Sequence, residues 1–413
     1  MLFVYRVLIN LVIVISPLVI LIRIIKKKED KKRFKEKFCF FSHKRKKGKL
    51  IWFHGSSVGE ILSIIPLLEK LENNSKIKTI LITSSTLSSS KVLSTFKFKK
   101  IIHQFFPVDT NFLSKKFLDY WKPSLVIFIE SEIWPNMIIN IKKKSIPLIL
   151  LNARITKKSF KRWKSISFSL KLFKIFNLCL PQNYETQKYL HLLGVKKIKM
   201  LGNLKFSETE LGNQNKLKIN QKEYFNKKKI WCGSSTHDTE EMMCALTHKK
   251  LKLKYKNLLT IIIPRHIQRT DKIKSQIKSL NLNIHIHSSK DKIKNNTDIY
   301  LVDTYGDTKN FFKICKTVFL GGSIIKHGGQ NPLEASRYGC ETIHGPNINN
   351  FTEIYKLLEK IKLSFKIKNT EQLIKKVDQS LSKSINSSKK VNKLKKIGTS
   401  ILKKNYNEIK NYI

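Results

Sequence analysis

The sequence predicts an α/β protein with two doubly wound domains behind an apolar N-terminal helix, and three observations predict it. A chain of 413 residues suits two domains of about 150–200 residues better than one. Two series of short apolar runs alternate with amphipathic stretches. Because these runs are continuous rather than alternating, they mark strands covered on both faces, as in parallel sheets flanked by helices. Finally, the run from Val7 to Ile22 carries no charge at all.

That N-terminal run is shorter than the ~20 apolar residues of a full span, but Ile24, Ile25 and a snorkelling Arg23 extend it. A signal peptide would carry its charges before the run and a small-residue cleavage site after it. Here only Arg6 precedes it and no such site follows, so an uncleaved anchor is expected. The basic cluster of Arg23, Lys26, Lys27 and Lys28 would stay on the cytoplasmic side, with the rest of the chain.

A basic connector ends near Lys49. The first strand series then reads Lys49 to Gly55, Ile77 to Ser85, Ser124 to Glu130 and Ile146 to Asn152. A polar, Asn- and Lys-rich stretch, roughly Ser207 to Lys228, reads as an interdomain linker. The second series follows with Lys229 to Thr236, Leu258 to Arg265, Ile299 to Thr304 and Thr317 to Gly322. The expected division is thus an anchor over 1–28, a first domain over 29–206, a linker over 207–228 and a second domain over 229–413. The tail from about Lys375 has weak helical periodicity and would either pack on the first domain or fray.

The formal net charge of +52 comes from 81 Lys and Arg against 29 Asp and Glu. The excess is mostly Lys and travels with Ile and Asn, which fits AT-rich coding, and no nucleic-acid motif accompanies it. Nucleic acid is therefore not an expected partner, although phosphates and sugar carboxylates would be drawn to the charge. The cysteines Cys39, Cys179, Cys232, Cys244, Cys315 and Cys340 form no C-x-x-C pair and have no His at ligand spacing, so reduced thiols and no metal site are expected.

In doubly wound sheets, ligands bind beyond the carboxyl ends of the strands, and the chemistry-bearing residues of this chain cluster there. F-H-G-S-S-V-G-E (Phe53 to Glu60) follows the first strand and opens a helix. Two readings compete. Ser57 satisfies G-x-S-x-G, a hydrolase nucleophile elbow, with Asp303 and His327 as possible triad partners. Alternatively, Glu60 is a general base at a helix N-terminus that favours its ionised form. I-F-I-E-S-E-I-W-P-N (Ile127 to Asn136) ends a strand with Glu130 and Glu132, carboxylates that are costly to bury unless paired or binding something. Glu132 could instead cap the next helix, and Arg154, ending the following strand, is a candidate partner for either acid. Lys205 sits between Leu204 and Phe206, close to the linker. In the second half, G-S-S-T-H, I-I-P-R-H, L-V-D-T-Y-G-D, G-G-S and G-G-Q-N-P-L-E-A each adjoin a strand end. Their small residues let backbone N–H groups reach a phosphate, Arg265 can hold one bidentately, and Glu334 can accept from ribose hydroxyls. Neither G-x-G-x-x-G nor G-x-x-x-x-G-K-[ST] occurs.

Taken in order, H-G-S-S-V-G-E, E-S-E-I-W-P-N, N-A-R, G-N-L-K-F, S-T-H, P-R-H, D-T-Y-G-D, G-G-Q-N-P-L-E-A and G-P-N-I-N-N-F strongly resemble the bacterial 3-deoxy-D-manno-octulosonic acid (Kdo) transferases over nearly the whole chain. The resemblance implies a GT-B fold, two Rossmann-like domains facing a central cleft, with an N-terminal anchor at the inner membrane and the catalytic domains on its cytoplasmic face. It implies CMP-Kdo as donor and co-substrate, a lipid A precursor (lipid IVA) as acceptor, inversion, and no cofactor or metal ion. It also implies Glu60 as catalytic base and Glu130 and Lys205 as transition-state stabilisers. The CMP pocket it implies consists of Pro264, Arg265, Tyr305, Gly306, Asp307, Asn331, Pro332, Leu333 and Glu334. Four places depart from the family pattern: Asp307 for Glu, Tyr305 for Met, Gln330 for His, and Asp238-Thr239 for Glu-Gly. A different GT-B enzyme acting on a membrane lipid, and a serine hydrolase built on Ser57, are the alternatives.

Overall fold

The computed structural model describes residues 2–208, 217–383 and 387–413. The chain divides into two compact units, Met1–Thr209 with Ile397–Ile413, and Glu210–Lys396. The C-terminal residues thus group with the first unit, where Ile401 packs against Gly202 and Lys199 pairs with Glu408. Of the stretch expected as a linker, 209–216 lie outside the described residues. Helix α9 (Ile219–Asn226) packs Phe225 into the second unit's core.

The first unit opens with helix α1 (Leu2–Ile25), which takes in the whole uncharged run. Then come β1 (Leu50–His54), α2 (Val58–Glu72), β2 (Thr79–Ser84), α3 (Leu87–Ser94), β3 (Ile101–Phe105), α4 (Asn111–Trp121), β4 (Leu125–Ile129) and α5 (Pro135–Lys143). The unit continues with β5 (Leu148–Ala153), α6 (Lys157–Lys164), α7 (Ser169–Phe173), β6 (Leu178–Pro181) and α8 (Tyr184–Leu192). Its strands form one parallel sheet in the order β3-β2-β1-β4-β5-β6. Every residue of β1, β2, β4, β5 and β6 is buried, as expected where helices cover both faces. Trp52, Phe117, Trp121 and Phe128 dominate the core. The strand order reverses between β1 and β4, which creates a crevice at their carboxyl ends.

The second unit runs from α9 through β7 (Lys229–Thr236), α10 (Glu240–Lys252), β8 (Leu258–Pro264), α11 (Thr270–Lys278), β9 (Ile284–Ile286) and β10 (Ile299–Leu301). It then passes through α12 (Thr308–Phe312), β11 (Thr317–Leu320), α13 (Leu333–Arg337), β12 (Glu341–His344), α14 (Thr352–Lys360), β13 (Ser364–Lys366) and α15 (Thr370–Ser382). Helix α16 (Ser388–Lys410) returns the chain to the first unit. This sheet is also parallel, in the order β13-β12-β11-β7-β8-β10-β9. Period-two alternation divides each strand between two cores: Ile262 and Phe319 face one, Ile261, Ile263, Val318 and Leu320 the other. Here the order reverses between β7 and β11. All six cysteines are buried and unpaired.

Candidate functional site

In the first unit, the loops after β1 and β4 converge at the reversal point. Ser57 is the N-cap of α2, its hydroxyl accepting from the Glu60 N–H (3.3 Å) while donating to Glu60 Oε1 (3.0 Å). Glu60 Oε2 accepts from the Ser56 N–H at 2.6 Å. Gly55 is required by this fold-back, since a Cβ there would lie 3.0 Å from Ile129 Cδ1 and 3.2 Å from Glu60 Cβ. The half-buried Glu60 carboxyl is pushed up to about 7. Burial is the main cause, the charges of Glu132 and Glu130 add to it, and the bonds from Ser56 and Ser57 oppose it.

Glu130, the residue directly after β4, lies in the left-handed region (φ 55°), unusual for a residue other than Gly or Asn and a source of local strain. Asn152, closing the neighbouring β5, is also left-handed (φ 52°), and its Oδ1 accepts from the Leu204 N–H at 3.0 Å. That bond holds the short turn carrying Lys205, whose Nζ lies 2.6 Å from Glu130 Oε1 in a largely buried ion pair. Arg154, the expected partner, meets Glu130 only through the backbone: its N–H donates to the Glu130 carbonyl at 3.0 Å. Glu132 does not cap α5, whose N-cap Trp134 makes no side-chain cap bond. Instead Glu132 Oε2 lies 2.9 Å from Nε2 of buried His54 and accepts from Trp134 Nε1 at 2.6 Å. Burial works to raise the Glu132 carboxyl, but the bonds from His54, Trp134 and Ser56 and the His54 charge outweigh it and hold it below the usual range. His54 is fixed from its other side by Thr83 and stacks on Phe106 at 3.8 Å between centroids.

Three carboxylates with one lysine and one histidine therefore surround the crevice, and Glu60 is raised towards neutrality while Glu132 is held low. His54 is not among the expected site residues, although it ends β1 just as Glu130 directly follows β4. A polar residue closing an apolar strand was the available signal. The elbow reading of Ser57 is not matched by the local geometry, because Ser57 has an extended backbone (φ −107°) and its hydroxyl partner is Glu60 rather than a histidine. Asp303, offered as a triad member, accepts instead from Ser288.

In the second unit the expected donor residues lie along the carboxyl edge of the sheet. Pro264 ends β8, and the Arg265 N–H bonds to the Thr236 carbonyl (2.9 Å) at the end of β7. The Arg265 side chain is exposed. Tyr305 is 65% exposed, Gly306 has φ 93°, and buried Asp307 accepts from Thr304 Oγ1 at 2.6 Å. Asn331 Oδ1 accepts from the Leu333 N–H (3.1 Å) as Pro332 and Leu333 open α13. Glu334 lies 3.8 Å from Lys309 of α12, which joins the second and third donor strings.

Glu240, in the first turn of α10, is a structural residue that the motifs did not reveal. Its Oε2 accepts from the N–H groups of His237 (3.0 Å) and Gly322 (2.7 Å), its Oε1 from those of Ser323 (3.2 Å) and Ile324 (3.0 Å). One buried carboxylate thereby clamps the loops after β7 and β11 at this sheet's own reversal point. Gly321 lets them meet, since a Cβ would lie 2.4 Å from the Ser235 carbonyl oxygen. Acidic residues opening a helix were the readable signal. Removing the acceptor of four buried N–H groups in Glu240→Ala should cost roughly 3–5 kcal/mol, seen as a lower urea midpoint. An unchanged midpoint would rule out the clamp. Among the described residues, no group of three or more His, Cys, Asp or Glu side chains could hold a metal ion.

Comparison with known proteins bears on the family and the fold. Residues 32–208 match the family model described as 3-deoxy-D-manno-octulosonic-acid transferase (kdotransferase). The chain is 36% identical over 358 residues to the 3-deoxy-D-manno-octulosonic acid transferase of Rickettsia bellii, covering 86% of this chain and 85% of that one. It is 29% identical over 363 residues to the Haemophilus influenzae enzyme of the same name, covering 86% and 83%. Among solved structures, UDP-GlcNAc 2-epimerase from Neisseria meningitidis aligns with a TM-score of 0.59 at 14% identity, covering 88% of this chain and 99% of that one. That likeness concerns the fold alone, which is of the GT-B type. Fold, motif order and sequence identity converge: the chain belongs to the Kdo transferase family, glycosyltransferases of lipopolysaccharide synthesis.

Proposed function

We propose that this enzyme transfers Kdo from CMP-Kdo to a lipid A precursor, lipid IVA, with Glu60 as the general base. The observation that carries the proposal is the Glu60 carboxylate held by Ser56 and Ser57 at a sheet reversal point, where burial pushes it up to about 7. A base with that affinity is ionised in a large fraction of molecules at neutral pH and still takes a proton effectively. In the proposed reaction an acceptor hydroxyl gives its proton to Glu60 while its oxygen attacks the anomeric carbon of Kdo from the face opposite the phosphate. The glycosidic bond to CMP breaks with its electron pair leaving on the phosphate, and one displacement inverts the centre without a covalent intermediate.

Glu130 and Lys205 are assigned to stabilising the transition state, Glu130 serving to fix the ammonium that offsets charge on the departing CMP. Pro264, Arg265, Tyr305, Gly306, Asp307, Asn331, Pro332, Leu333 and Glu334 are assigned to the nucleotide. The exposed Arg265 is a cation available for its phosphate. Asp307 is one methylene shorter than the Glu common in the family, so a bridging water is expected there. This scheme routes no step through a metal ion. The Kdo transferases of lipopolysaccharide synthesis are membrane-associated, and we assign the catalytic units of this chain to the cytoplasmic face of the inner membrane.

The test is transfer from CMP-Kdo to a tetra-acylated lipid A precursor in EDTA, with products read by mass spectrometry, for wild type, Glu60→Gln and Ser57→Ala. Whole-Kdo mass increments are expected for wild type, should be lost in Glu60→Gln, and should fall no more than about tenfold in Ser57→Ala, which loses a helix cap and one bond to the base. Activity abolished in Ser57→Ala but kept in Glu60→Gln would overturn the proposal in favour of a serine nucleophile.

A further inference from the structure

Helix α1 is long and apolar enough to cross a membrane, yet it is tied near both ends and partly covered along one side. Near its start, Tyr5 Oη donates to Asp109 Oδ2 (2.7 Å) and Arg6 Nε to Asn136 Oδ1 (3.0 Å). At its end, Arg23 pairs with buried Glu29 (3.0 Å), which Lys37 also binds. Between these ties Ile9, Ile13, Ser16 and Ile20 form a covered stripe at helical spacing, and Ile13 packs on the first unit's core. The other sides expose Phe3, Leu11, Val14, Leu18 and Leu21. Tyr5 and Arg23 are about 27 Å apart along the helix axis, close to the ~30 Å thickness of the hydrocarbon layer. A helix crossing the bilayer would place those ends on opposite sides, where one unit cannot bind both.

Beside the first turns of this helix is a cavity of about 550 Å³, walled by Val4 and Leu8 of α1, Ile133 and Trp134 of the loop after β4, and Trp163 and Ile166. Its volume falls within the ~300–1,000 Å³ of small-molecule sites. Buried Glu132, bound to His54 and felt electrostatically by Glu60, is among its polar members, as is exposed Arg162. Arg162 belongs to α6, which also exposes Lys157, Lys158, Lys161 and Lys164 and contains no acidic residue. An apolar cavity thus shares Glu132 with the candidate base's surroundings, is bounded by a cationic helix and is walled by a helix whose free face is apolar.

We infer that α1 lies in the plane of the membrane rather than across it, and that this cavity receives an acyl chain of the phosphorylated lipid acceptor while α6 holds a phosphate of the same molecule. The inference rests on the lipid-acceptor reading above. Full-length wild type, Leu8→Trp and Ile166→Trp are compared at saturating CMP-Kdo over a range of tetra-acylated acceptor concentrations, and then with the two substrates exchanged. Each Trp should raise KM for the acylated acceptor at least tenfold and leave KM for CMP-Kdo within twofold. Variants with the acceptor KM of wild type, or with both KM values raised alike, would overturn the pocket while the transfer reaction stands. No transfer by folded wild type would instead overturn the acceptor reading. For the helix, an epitope added before Met1 should be cleaved by protease applied to sealed vesicles whose catalytic units face outward. An epitope protected until the vesicles are opened would mean that α1 crosses the bilayer.

Discussion

Glu60→Gln should cost transfer roughly 10²–10⁴-fold and yet make the protein more stable at pH 8. Both effects come from the same environment. Burial, with the charges of Glu132 and Glu130, raises the folded-state carboxyl to about 7 from its ordinary 4.5. Between those values the folded protein keeps a proton that the unfolded chain has released. The associated stability is complete below about pH 4.5 and is lost as pH rises through 7. Gln carries no charge to desolvate, and its amide can still accept from the Ser56 N–H and meet the Ser57 hydroxyl. The variant should therefore gain up to about 3 kcal/mol over wild type above pH 7 and converge with it at pH 4. Urea unfolding at pH 4, 6 and 8 checks the stability, and rates between pH 5.5 and 8.5 check the chemistry. Wild-type transfer should fall as pH drops through about 7, and residual transfer by the variant should lack that limb. A variant less stable than wild type at pH 8 would mean that Glu60 is an ordinary structural carboxylate.

The strands that carry the site were legible because their residues are apolar without interruption. The segments I-W-F-H, I-L-I-T-S, L-V-I-F-I and L-I-L-L-N-A each became a fully buried strand of a parallel sheet. Among the strands that went unread, β6 is apolar but only four residues long, whereas β3 and β12 carry polar residues whose partners are distant in sequence. In β12, E-T-I-H looks like a surface segment, but Glu341 is met by Lys376 and Lys390 and His344 by Glu359. In β3, His103 is held by Arg33 and Ser84. Pairing of this kind depends on tertiary structure, so no local pattern signals it. The same holds at the site. Glu60 and Glu130 could be picked out because an acid at a strand end or helix start needs a reason, whereas the link from Asn152 to Leu204, which delivers Lys205 to Glu130, spans 52 residues. Glu240 was hidden for the same reason, its role being to join two loops more than eighty residues apart.

Lys205→Met should be the most damaging single change in the first unit. Glu130 is only 6% exposed and sits on a strained left-handed backbone, and Lys205 lies 2.6 Å from its carboxylate. Removing one partner of a buried pair leaves the other charge uncompensated, at a cost of roughly 3–5 kcal/mol. Since Glu60 also feels the Glu130 charge, the lost ammonium should raise the pH at which transfer rises. The double variant Glu130→Gln/Lys205→Met separates structure from chemistry, because with both charges gone most of the lost stability should return. If the pair only holds the turn in place, transfer returns with the stability. If Lys205 offsets charge on the leaving CMP, as proposed, the refolded double variant stays at least about 10²-fold below wild type. Thermal unfolding and single-turnover rates on wild type, the two single variants and the double variant give both quantities from the same preparations. Recovered stability without recovered transfer is the expected result, and full recovery of both would reduce the pair to scaffolding.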